Sequence, residues 1–114
     1  MSNCIFCKIA AGEIPSKKVY EDENVLAFYD ISPSAPMHIL VIPKKHIDSA
    51  MELKKEDQEL LMQVFQGVQK AAQIVGADKE GFRLVTNIGE NGGQSVKHLH
   101  FHLLGGKRFG ADFG

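Results

Sequence analysis

A surplus of positive charge, cysteine and long apolar runs are all scarce in this 114-residue chain. Thirteen Lys and Arg stand against fourteen Asp and Glu, a formal net charge of −1 with the histidines neutral. Nothing is left over to neutralise a polynucleotide backbone, which excludes duplex and long single-stranded nucleic acid as partners. A single nucleotide remains open, because a few backbone N–H groups and side chains suffice for one phosphate. Apolar residues never run long enough to cross a bilayer, and residues 1–8 lack the apolar core of a signal peptide. A cytoplasmic protein without membrane contact is therefore expected. Structural disulfides are rare there, and the only two cysteines are spaced Cys4-x-x-Cys7. That spacing suits a metal site or a redox pair better than a structural staple.

What is present is ordinary globular material, 44% hydrophobic and 24% charged. Repeats and linker-like stretches are missing, so one domain over residues 1–114 is expected. Residues 4–11 read as a short helix that Gly12 and Pro15 end. Residues 19–20 and 25–29 read as strands joined by a polar loop, and 38–42 as a third, central strand closed by Pro43. Residues 56–75 form the one strong helix. Leu60, Leu61, Val64, Phe65, Val68, Ala71, Ala72 and Val75 make its apolar stripe, and Gly76 is its stop. Gly67 inside it marks either a solvated position or the close packing of another backbone. Residues 82–87 and 96–104 read as the last strands, the latter with strict alternation. The expected fold is α+β: a mostly antiparallel five-stranded sheet with one long helix and a short N-terminal helix.

The informative segment is Gly92-Gly93-Gln94-Ser95-Val96-Lys97-His98-Leu99-His100-Phe101-His102-Leu103-Leu104. On a strand, His98, His100 and His102 share one face, about 6.6 Å apart per two residues, while Leu99, Phe101 and Leu103 face the core. Three imidazoles in a row suit either a metal site or a nucleophilic histidine. Imidazole ordinarily titrates near 6.5, so a neutral nitrogen is plentiful at pH 7 to attack phosphorus while the other ring nitrogen donates to a carbonyl. The preceding turn and the Ser95 hydroxyl, with the Asn87 amide, suit a phosphate cradle.

His98-Leu-His100-Phe-His102-Leu-Leu resembles the His-φ-His-φ-His-φ-φ signature of the histidine triad superfamily. Phe6-Cys7-Lys8-Ile9, Phe28-Tyr29-Asp30-Ile31-Ser32-Pro33, residues 35–47 and Asn87 with Gly92-Gly93-Gln94-Ser95-Val96 extend the resemblance to the Hint branch, the histidine triad nucleotide-binding proteins. The resemblance implies hydrolysis of purine nucleoside 5′-phosphoramidates through a nucleotidyl-histidine intermediate. It makes His100 the nucleophile, His98 and His102 its supports, and His38 a fourth histidine behind them. It assigns the phosphate to Asn87, Gly93, Gln94 and Ser95, and the ribose hydroxyls to Asp30. The base slot falls to Ile5, Phe6, Ile9, Phe28, Tyr29 and Ile31. It also implies a homodimer, in keeping with a helical stripe wider than one small sheet needs around Leu61, Met62 and Phe65.

Cys4-x-x-Cys7 resembles a zinc-bearing subset of the superfamily, which implies zinc on Cys4, Cys7, His46 and His98. A pairing of His98 with His38 would compete with that site. Some Hint relatives carry a tryptophan near the C-terminus that reaches the partner's active site, and this chain has none. Alternatives at this point are cleavage of dinucleoside polyphosphates or nucleotidyl transfer by the same histidine, a zinc hydrolase using the triad as ligands, and a nucleotide-binding adaptor.

Overall fold

A computed structural model describes residues 3–113, so the two ends of the expected domain, residues 1, 2 and 114, lie outside it. The elements in order are α1 (Ile5–Ala10), β1 (Lys18–Glu21), β2 (Val25–Tyr29), β3 (Met37–Pro43), α2 (Gln58–Val75), β4 (Arg83–Val85) and β5 (Phe101–Gly105). The strands form one sheet in the order β1-β2-β3-β5-β4, every pair antiparallel. This is the expected α+β fold with one long and one short helix.

Both faces of the sheet are covered, which explains why β2 and β3 are apolar at nearly every position. On one face Val25, Ala27, Ile39, Val41, Leu99, Phe101 and Leu103 meet Val64, Val68, Ala71 and Ala72 of α2. On the other, Leu26, Phe28, Leu40 and Ile42 meet Phe6 and Ile9 of α1. Gly67 is a close approach and not a solvated site: a Cβ there would lie 2.7 Å from Val25 Cγ1. What it approaches is a strand side chain and not the expected backbone.

Three elements differ in their bounds from the expected ones. The first turn before α2 is a 3-10 turn, Lys55–Asp57. Asp57 folds back to accept from the Lys54 N–H (3.0 Å) and from Lys45 Nζ (2.9 Å), tightening the entry. The last strand begins at Phe101 and not at residue 96, because β3 pairs with β5 only from Val41↔Phe101 to Met37↔Gly105. His98 and His100 therefore stand on an irregular approach to the sheet. The Leu99 N–H still bonds the Ile47 carbonyl at 2.6 Å, so the inward and outward alternation survives without the ladder. The fourth strand is also shorter than expected, three residues, leaving Asn87 in the following loop.

Candidate active site

The register of the sheet builds the floor of a cavity. Phe28 pairs with Leu40, and Leu40 pairs with His102, so these three lie in one row on the α1 face. Above the row, α1 supplies Ile5, Phe6 and Ile9 as a wall. The cavity holds about 500 Å3, and Tyr29, Asp30, Ile31, Ser95 and His100 complete its lining alongside residues 14–17 and Val96. Six expected base-slot residues and Asp30 are thus brought together. Leu40 and Val96 were missed, although strand parity with His38 would have placed Leu40 on this face. Ile31 is 98% exposed and Ile5 47%, an apolar lip that none of the described residues covers.

Each histidine has a partner that defines its protonation pattern. The Nδ1 of His100 lies 2.6 Å from the His98 carbonyl, which can only accept. His100 Nδ1 therefore carries the proton, and in the neutral ring Nε2 is left with the lone pair. Phe6 meets this buried ring edge-on at 5.0 Å. The Ser34 N–H donates to His38 Nδ1 at 2.9 Å, so the neutral His38 ring carries its proton on Nε2. That nitrogen lies 2.9 Å from His102 Nδ1 and donates to it. His102 in turn presents an Nε2–H. His38 pairs with His102 and not with His98, which removes the expected competition with a metal site.

Desolvation, then the His100 and His38 rings, hold the His102 ring down at about 4. Desolvation lowers His38 as well, against the pull of the Asp30 carboxylate. Both rings are therefore neutral at pH 7, as the hydrogen-bond chain requires. Asp30 lies 3.5 Å from His38 and accepts the Ser32 N–H at 2.7 Å, so it shapes the turn while lining the cavity.

The Gly-Gly-Gln-Ser turn is only in part the expected cradle. Gly93 and Gln94 donate their N–H groups to the Glu90 and Gly89 carbonyls at 3.0 and 3.1 Å. The Gln94 amide bridges the Asp48 and Val96 carbonyls and the Gly89 N–H. Asn87 donates to the Gly92 carbonyl at 2.7 Å. These three residues hold the loop and do not line the cavity. Their partners lie in other segments or further along the loop, which no local pattern announces. Gly92 is needed because a Cβ would collide with the Ile88 carbonyl. Among the described residues, the exposed Ser95 hydroxyl and the Ser95 and Val96 N–H groups have no protein partner, and both residues line the cavity.

Behind the cavity, Cys4, Cys7, His46 and His98 gather with their donor atoms within 4.8 Å of one another. His98 Nε2 donates to the Pro43 carbonyl (2.8 Å) and His46 Nε2 to Asp48 Oδ1 (2.7 Å). Both rings thus turn a lone pair on Nδ1 toward the sulfurs. Those nitrogens lie 3.2–3.6 Å from them. A tetrahedron with bonds of about 2.0–2.3 Å has edges of roughly 3.3–3.8 Å, so the four residues fit a metal ion. Asp48 is the orienting carboxylate that the sequence reading missed. Burial, then the Cys4 thiol, push the Cys7 thiol up to about 11, so without a cation Cys7 stays protonated. Asp30, His38 and His102 also lie close enough for a metal, but their ring-to-ring bond occupies the facing nitrogens. The triad rings turn to three different partners and do not converge on one ion, contrary to the zinc-hydrolase alternative.

Comparison with known proteins points one way. A family model described as the HIT domain matches residues 11–109. Protein HitA of Neisseria gonorrhoeae is 49% identical over 105 residues, 92% of this chain and 97% of the relative. The structure of a HIT family hydrolase from Clostridium thermocellum has a TM-score of 0.95 at 45% identity, covering 98% of this chain and 97% of that one. A histidine triad protein from Clostridium difficile gives a TM-score of 0.94 at 50% identity, over 99% and 98% of the two chains.

Proposed function

The chain belongs to the HIT domain family, and from that premise we propose that it is a hydrolase of the Hint branch, cleaving the P–N bond of purine nucleoside 5′-phosphoramidates. The observation that carries this reading is the state of His100. Its Nδ1 proton is committed to the His98 carbonyl, which leaves Nε2 as the nucleophilic atom of a buried ring lining the cavity. The apolar wall and lip suit a base, held by Ile5, Phe6, Ile9, Phe28, Tyr29 and Ile31, and Asp30 suits the ribose hydroxyls. The Ser95 and Val96 N–H groups hold the phosphoryl oxygens as negative charge develops.

His100 Nε2 attacks phosphorus, and its new P–N bond forms as the bond to the amine breaks. The departing nitrogen takes a proton from the Ser95 hydroxyl, with the His102 Nε2–H as the second donor at that end. Water then attacks the same phosphorus, the bond to His100 breaks, and the nucleoside monophosphate leaves. The proton that the water loses restores the donor. His38 keeps His102 in the donating tautomer.

The cluster of Cys4, Cys7, His46 and His98 is assigned to zinc, which when bound adds folding free energy by anchoring the segment that carries the cysteines. The chain acts as one cytoplasmic domain with a nucleotide as partner. It pairs with a second copy through the open edge of β4 and through Phe65, whose ring meets Phe101 of β5 at a tilt, 5.3 Å between centroids. Among the described residues, no helix is long and apolar enough to cross a membrane.

The test is turnover of adenosine 5′-phosphoramidate by wild type and His100→Ala. The variant is expected to keep its fold and its affinity for AMP while losing more than the ~10²–10⁴-fold that removal of a general acid or base costs. Near wild-type turnover by the variant would sink the mechanism.

A further inference from the structure

The Cys/His cluster stands outside the cavity, yet three contacts tie it to the cavity's working parts. The first is α1. Cys4 is its N-cap, and its thiol accepts the Cys7 N–H at 3.3 Å, so both sulfurs ride on the helix that supplies Ile5, Phe6 and Ile9. Phe6, between the cysteines, meets His100 at 5.0 Å and His98 at 6.0 Å. The second is His98 itself, whose ring faces the sulfurs while its carbonyl holds His100 Nδ1. The third runs from His46 to Asp48, and from the Asp48 carbonyl at 2.6 Å to Gln94, the neighbour of Ser95.

A six-residue helix has no stability of its own, because nucleation costs more than so few hydrogen bonds return. The position of α1 rests on Phe6 and Ile9 in the core and on its two sulfurs. A metal ion joining those sulfurs to the fixed rings of His46 and His98 would pin the helix from one side. A base packed on Ile5, Phe6 and Ile9 would pin it from the other.

We infer that the cluster is a positioning device for the nucleotide cavity, so that metal binding and nucleotide binding are linked and each tightens the other. This rests on the nucleotide reading above. Either ligand bears the cost of ordering α1, and the second finds it ordered. Linkage requires the same factor in both directions.

The experiment uses Zn2+ and AMP on the full chain. Zinc affinity is measured by competition with a chromophoric chelator, with and without saturating AMP. AMP affinity is measured by calorimetry on the zinc-free and zinc-loaded protein. The expected result is a gain of ~5-fold or more for each ligand in the presence of the other, equal within error. The Cys4→Ser/Cys7→Ser variant should bind AMP with the zinc-free affinity and ignore added zinc. Hydrogen exchange on zinc removal should expose the amides of α1 and leave β3 protected. AMP binding that is indifferent to zinc, absence of zinc binding, or equal loss of protection in β3 would overturn the inference and leave the nucleotide reading standing. Failure of AMP to bind either form would overturn both.

Discussion

Folding takes the His102 ring from about 6.5 in an unfolded chain to about 4, chiefly by desolvation. Between those values the unfolded chain binds a proton that the folded chain does not. Stability is therefore full above about pH 6.5 and falls as pH drops toward 4. His38, lowered by burial, adds the same sign. Urea midpoints should thus decline from pH 7 to pH 4.5, and the decline should be shallower in His102→Gln. An unchanged slope in that variant would show that the proton uptake lies elsewhere. At this scale the period of two in residues 98–103 was enough to read which side chains are histidine face and which are core, and Leu99, Leu103 and the three histidines follow it. The tautomers were not legible. They depend on the Ser34 N–H and on the Pro43 and His98 carbonyls, backbone groups whose orientation no side-chain pattern encodes.

The long helix shows what element-level reasoning reaches and where it stops. Its apolar stripe was plain, and Val64, Val68, Ala71 and Ala72 are buried. Gly67 carried two readings, because its meaning depends on how near the sheet comes. With a Cβ 2.7 Å from Val25 Cγ1 and 3.5 Å from Val41 Cγ1, two stiff β-branched side chains would have to give way. Overpacking costs ~1–3 kcal/mol and the gain in helix propensity returns ~1 kcal/mol, so Gly67→Ala should lose about 1 kcal/mol net. Adding Val25→Ala should make the double variant more stable than the sum of its parts, by more than about 0.5 kcal/mol. A stabilised Gly67→Ala would mean that α2 lies further from the sheet. Strand ends were the least legible feature. The alternation of residues 96–104 continues past the ladder because Leu99 is held by Ile47, a contact across 52 positions that local pattern cannot signal.

For the whole molecule, the α+β fold followed from element order, and the continuous apolar run of β3 marked that strand as central and covered. That α1 covers the second face of the sheet, over β2 as well, is seen only in the structure. What joins the N-terminal cysteines to His46 and His98 is a meeting of three distant segments, legible only through the resemblance to zinc-bearing relatives. The open β4 edge and the partly exposed Met62 and Phe65 predict a dimer at micromolar concentration. Sedimentation should find it, and Phe65→Glu should shift it toward monomer; a wild-type monomer would refute the assembly. The central claim is a covalent bond to one ring nitrogen, and trapping that bond tests it most directly. Adenosine 5′-phosphoramidate mixed with the protein and quenched within a turnover should leave an adenylate on the peptide that carries His100, seen by mass spectrometry and absent from His100→Ala. Full turnover with an unmodified peptide at every quench time would contradict it.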